Sequence, residues 1–81
     1  MDRVMGEAEL REKLMSTNEE FRRLAQEHQS YDRELEKLST RPYLSEEEKL
    51  HEIMLKKKKL MLKDRMYSMV LQYRKQMEAG S

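Results

Sequence analysis

The sequence predicts an all-α fold: an antiparallel hairpin of two long helices with a coiled-coil-like contact. Three observations carry this. Apolar residues recur in alternating steps of three and four through two long runs, the spacing of a helix seam. A single proline, Pro42, separates the runs near the middle of the 81 residues. Charged residues make up 41% of the chain and aromatics only 6%, which suits apolar stripes along helices better than a globular core.

Residues 1–9 mix charges around Gly6 without a period and read as a frayed leader running into a first helix placed at about 8–39. Its seam is Leu10, Leu14, Thr17, Phe21, Leu24, His28, Tyr31, Leu35 and Leu38, with Thr17 and His28 its only strongly polar members. The positions between are mostly Glu, Arg, Lys and Gln, as a solvated face requires.

Proline disfavours helical geometry at the preceding Arg41, so the first helix should stop near Thr40 and a turn should occupy 40–45. Ser45 followed by Glu48 is a capping-box pattern, and Glu46, Glu47 and Glu48 set negative charge at the positive end of a new helix dipole. The second helix is accordingly placed at 46–77, within one hairpin domain covering 10–79, and Gly80 and Ser81 form a tail.

That second run carries two apolar stripes. One reads Leu50, Ile53, Lys57, Leu60, Asp64, Tyr67 and Leu71, with Met54 and Met61 beside it, and is expected to face the first helix. The other is Leu55, Leu62, Met66, Met69, Tyr73 and Met77, on the opposite side at about 100° per residue. A hairpin covers only one of them. The methionine-rich stripe is therefore the expected dimer or partner face, most economically in a homodimer of hairpins forming a four-helix bundle, or as an adaptable groove for a helical partner protein.

The net charge of +1 hides an asymmetry. Residues 1–40 carry 7 basic and 10 acidic side chains, and residues 41–81 carry 10 and 6. An acidic helix folded against a basic one accounts for this without a nucleic acid. Cysteine is absent, which excludes disulfides, thiolate metal sites and a cysteine nucleophile. The first ten residues are too polar for a signal peptide, and no apolar run approaches a membrane span, so a soluble cytoplasmic protein is expected, with no membrane contact.

Two segments carry a family likeness: Phe21-x-x-Leu24-Ala25-x-Glu27-His28 with Asp32, Leu35 and Leu38, and Leu55-Lys56-Lys57-Lys58-Lys59-Leu60-Met61-Leu62-Lys63-Asp64 followed by Met66-Tyr67. In these the chain resembles the YdcH-like family of small bacterial proteins, a domain of unknown function, across about residues 20–73. The resemblance implies a helical hairpin and a bacterial cytoplasmic setting. It supplies no activity and no catalytic residues.

Few constellations could carry chemistry. His28 and Asp32 stand four apart on one helix with Glu27 alongside, but a closed zinc site normally wants four ligands, and His51 lies far off near the turn. No metal and no cofactor is expected. If the turn centres on Tyr43 and Leu44, residues whose numbers sum to about 88 face each other across a hairpin. His28 then lies near Leu60 and Asp64, Lys57 opposite Tyr31, and Asp64 opposite Leu24. His28, Lys57 and Asp64 are read as polar seam residues that fix register rather than as a reaction centre.

The run Lys56–Lys59 with Lys63 and Arg65 suggests nucleic acid, but consecutive helical residues point in different directions and no exposed aromatic platform accompanies them. Lys56, Lys58, Lys59, Lys63 and Arg65 therefore carry only the alternative reading, a nucleic-acid-associated protein using residues 56–65. No phosphate loop and no convergent serine, histidine and acid are present, so catalysis is not expected. The main expectation is a non-enzymatic structural or protein-interaction module.

Overall fold

A computed structural model describes residues 6–79, so residues 1–5 of the leader and the tail at 80–81 lie outside the described residues. Three helices and no strand are found among the described residues: α1 (Glu7–Thr17), α2 (Glu19–Ser39) and α3 (Glu46–Ala79). The expectation of two helices is thereby corrected. The run taken as one helix over 8–39 is broken at Asn18, and residues 7–9 of the leader are already helical.

The break has a local cause. Ser16, Thr17 and Asn18 are residues whose side chains compete with the backbone for helix hydrogen bonds. The hydroxyls of Ser16 and Thr17 both donate to the carbonyl of Lys13, at 2.9 and 2.7 Å. Asn18 then leaves helical geometry at φ −120° and ψ 111°. Its N–H still donates to the Leu14 carbonyl at 2.8 Å, closing α1, while its Oδ1 accepts from the N–H of Phe21 at 2.9 Å, capping α2. Glu19 and Glu20 follow in the first turn, where the helix dipole favours them. One residue thus ends one helix and begins the next.

The second boundary follows from the capping box. The Ser45 N–H donates to Glu48 Oε1 at 3.0 Å, and the Glu48 N–H donates to Ser45 Oγ at 3.1 Å. Glu48 also takes the Arg41 guanidinium from across the turn. Before the turn, α2 closes with Ser39 donating to the Glu36 carbonyl and Thr40 to the Lys37 carbonyl.

Ion pairs across α2 and α3 join Glu20 to Arg65 and Asp32 to Lys59, and Glu34 Oε2 lies 3.8 Å from His51 Nε2, so residue numbers rise along α2 as they fall along α3. The core gathers where all three helices meet: Leu10 and Leu14 from α1, Phe21 and Leu24 from α2, Met66 and Val70 from α3. Leu10, Phe21 and Val70 are each 1% exposed. Burying each such side chain is worth about 1.5–3 kcal/mol, so this junction carries much of the fold's stability. Leu38 and Leu55 are buried nearer the turn. The molecule is a rod of 56 × 19 × 17 Å with a radius of gyration of 16.6 Å, against about 12 Å for a compact domain of this length.

Candidate interaction surface

The seam of α2 turns inward: Phe21, Leu24 and Leu38 are buried, and Ala25, His28, Tyr31 and Leu35 are half-buried. On α3 the two stripes exchange the roles that the sequence suggests. Leu55 and Met66 are buried, and Leu62, Met69 and Tyr73 are half-buried against the core; only Met77 of the expected partner face is exposed. That face is spent within the chain. The stripe expected to meet α2 points away instead: Leu50, Ile53, Met54, Leu60, Met61, Tyr67 and Leu71 are all exposed, Met61 at 70% and Leu50 at 65%.

The physical reason is where charge can find a partner. Turned inward, the Leu50–Leu71 stripe would bring Lys57 and Asp64 into the apolar contact beside Tyr31 and Leu24, where removing a charge from water is costly. The stripe that does face α2 also holds a lysine, Lys59, but Asp32 lies across from it and binds its ammonium. Beyond Lys59 that stripe runs apolar through Leu62, Met66, Met69, Val70 and Tyr73. Val70 belongs to neither stripe as read from the sequence, yet it is among the most buried residues, because α1 covers that end of α3.

The three residues read as fixing register do not share one seam within the chain. His28 lies on the inward seam of α2, whereas Lys57 and Asp64 are exposed on the outer side of α3. Neither Lys57 nor Asp64 has an ion pair or side-chain hydrogen bond among the described residues. His28 and Asp64 share no hydrogen bond or ion pair among the described residues.

The basic residues of 56–65 divide. The Arg65 guanidinium hydrogen-bonds Glu20 and holds that carboxyl below the usual range, first by the hydrogen bond and then by its charge, with a further contribution from Arg23. The Lys59 ammonium lowers Asp32 in the same way. Lys56 sits 3.7 Å from Glu52 one turn back on α3. Lys58 and Lys63 are exposed and unpaired among the described residues.

Shallow depressions mark the rest of the described surface. One is lined by Glu19, Glu20, Arg22, Arg23 and Gln26; another, largely apolar, by Tyr31, Lys58, Met61, Leu62 and Arg65. Among the described residues no three His, Asp or Glu side chains are grouped to hold a metal ion, and no helix is long and apolar enough to cross a membrane. The feature that stands out is the outward stripe of α3. From Leu50 to Leu71 it runs about 32 Å along one side of the rod, at 1.5 Å per residue.

No curated protein and no solved structure matches the chain. One family profile does, over residues 21–70, which takes in most of α2, the turn and α3 as far as Val70, but not α1. That span covers well over half of the chain and contains both segments of the YdcH-like likeness, so the chain belongs to this family, described as a protein of unknown function (DUF465).

Proposed function

We propose that this chain is a non-enzymatic, cytoplasmic protein-interaction module, in which the α2–α3 hairpin is a scaffold and the outward stripe of α3 docks a partner helix. One observation carries the reading: seven large apolar side chains lie exposed at heptad-like spacing along one side of a single helix. Single exposed apolar residues are ordinary, but a row of seven, interrupted by Lys57 and Asp64, is characteristic of a surface that another helix covers. Three of its members, Met54, Met61 and Tyr67, bring the adaptable or amphipathic side chains favoured at such contacts. The nucleic-acid alternative loses support because Lys56, Lys59 and Arg65 are engaged by Glu52, Asp32 and Glu20.

The reading is tested by placing a photo-crosslinking amino acid at Met61 on the stripe, and separately at Gln26 on the exposed side of α2, in cells producing the protein. Defined protein adducts are expected from position 61 and not from position 26. Equal or absent labelling at the two positions would overturn it.

A further inference from the structure

We infer that the outward stripe of α3 pairs with the same stripe of a second copy, antiparallel, about a two-fold axis passing between Leu60 and Met61. The inference rests on the interaction reading above and names the partner. The stripe is self-complementary about that point. Laying a second α3 in reverse sets Leu50 opposite the copy's Leu71, Met54 opposite its Tyr67, and Leu60 opposite its Met61. Ile53 alone meets a small polar residue, Ser68.

The charges are more selective than the apolar residues. Lys57 and Asp64 are equally far from the axis on either side, so each lysine meets the other copy's aspartate, and the contact is made twice. Both side chains are exposed and unpaired within the chain among the described residues, so no internal partner competes. Every neighbouring arrangement loses this. A parallel pairing sets Lys57 on Lys57 and Asp64 on Asp64. An antiparallel slip by one heptad sets two Lys57 side chains together in one direction and two Asp64 side chains together in the other. Like charges facing across an interface select against those registers. Of the flanking lysines, Lys56 is held by Glu52, and Lys63 is exposed and can extend into water.

Because the stripe lies about 180° from the side of α3 that meets α2, the assembly is a flat layer in the order α2, α3, α3, α2. It is not the closed four-helix bundle that the sequence suggests. An isologous contact of this kind closes at two copies and does not propagate.

The test uses the full chain, which has no cysteine of its own. Under mild oxidation Leu60→Cys is expected to form a disulfide-linked dimer, since two copies of residue 60 flank the axis. Leu50→Cys alone is expected not to, but it should link to Leu71→Cys when the two chains are mixed. By sedimentation equilibrium, Lys57→Glu and Asp64→Lys should each weaken dimerisation roughly tenfold. The chain carrying both changes, and the equimolar mixture of the two single variants, should recover it. Efficient crosslinking of Leu50→Cys to itself would show a parallel pair and overturn the inference. So would a chain that stays monomeric at millimolar concentration, or charge variants that dimerise like the parent. In those cases, adducts from position 61 to a different protein in cells would still uphold the docking stripe, so the two failures are told apart.

Discussion

Asn18 does two jobs with one side chain and one backbone amide, and the bend between α1 and α2 depends on both. Asn18→Ala should cost about 1 kcal/mol, the usual worth of an N-cap, read as a lower urea midpoint at unchanged slope. Asn18→Asp, which keeps the accepting oxygen, should cost less. The paired carboxylates give a second expectation at this scale. Glu20 and Asp32 are both held below their ordinary values, chiefly by hydrogen bonds from Arg65 and Lys59. A carboxylate lowered on folding contributes stability that is complete above its unfolded pKa, near 4, and is lost as pH falls through the lower folded value. The melting temperature should therefore fall on acidification through the carboxylate range. Asp32→Asn should flatten that acid limb and lower the plateau near neutrality. An acid limb identical to the parent's would remove Asp32 from the account.

At the scale of the helix, the roles of the two α3 stripes can be separated by one matched pair of substitutions. Met66→Lys places a charge in the buried junction beside Phe21 and Val70 and should cost at least about 3 kcal/mol, visible as lost helical circular dichroism at moderate temperature. Met61→Lys, only five positions earlier, should leave the helical signal intact. The opposite pattern would mean that α3 is turned the other way. The pair also marks what the sequence alone could tell. The capping box at Ser45 and Glu48, the inward seam of α2 and the turn after Thr40 are local, and local patterns display them. The orientation of α3 is not local. Both its stripes step in threes and fours, and each contains charges. The choice shows in Leu62, Met66, Met69, Val70 and Tyr73 packing against the residues that α1 and α2 bring to the core, which is a property of the folded chain. The break at Asn18 was obscured for a related reason: Thr17 fits the step between Leu14 and Phe21, so the seam looks unbroken. The Ser16-Thr17-Asn18-Glu19-Glu20 run was the available signal, an end followed by a start.

For the whole molecule, the position of the core matters more than its size. Leu10 and Leu14 of α1 complete a junction whose other members come from α2 and from the later part of α3, so α1 acts on the far end of the rod from the turn. Deleting residues 1–17 should cost roughly 3–6 kcal/mol, two leucine side chains' worth of burial, and should expose Phe21 and Val70 to a hydrophobic dye. If the shortened chain melts like the parent and binds no dye, α1 is not part of the core. The charge asymmetry has a matching role. Acidic residues of α2 hold basic residues of α3 at Glu20 and Asp32, so the halves offset each other along the rod rather than presenting a basic face.

The rod is about three times as long as it is wide, and this has a hydrodynamic consequence. Friction follows the long axis, so a single copy diffuses and elutes like a globule of considerably greater mass. Pairing copies side by side through α3 widens the particle more than it lengthens it, turning a rod into a plate of the same thickness. Association should therefore double the mass with almost no change in the frictional ratio.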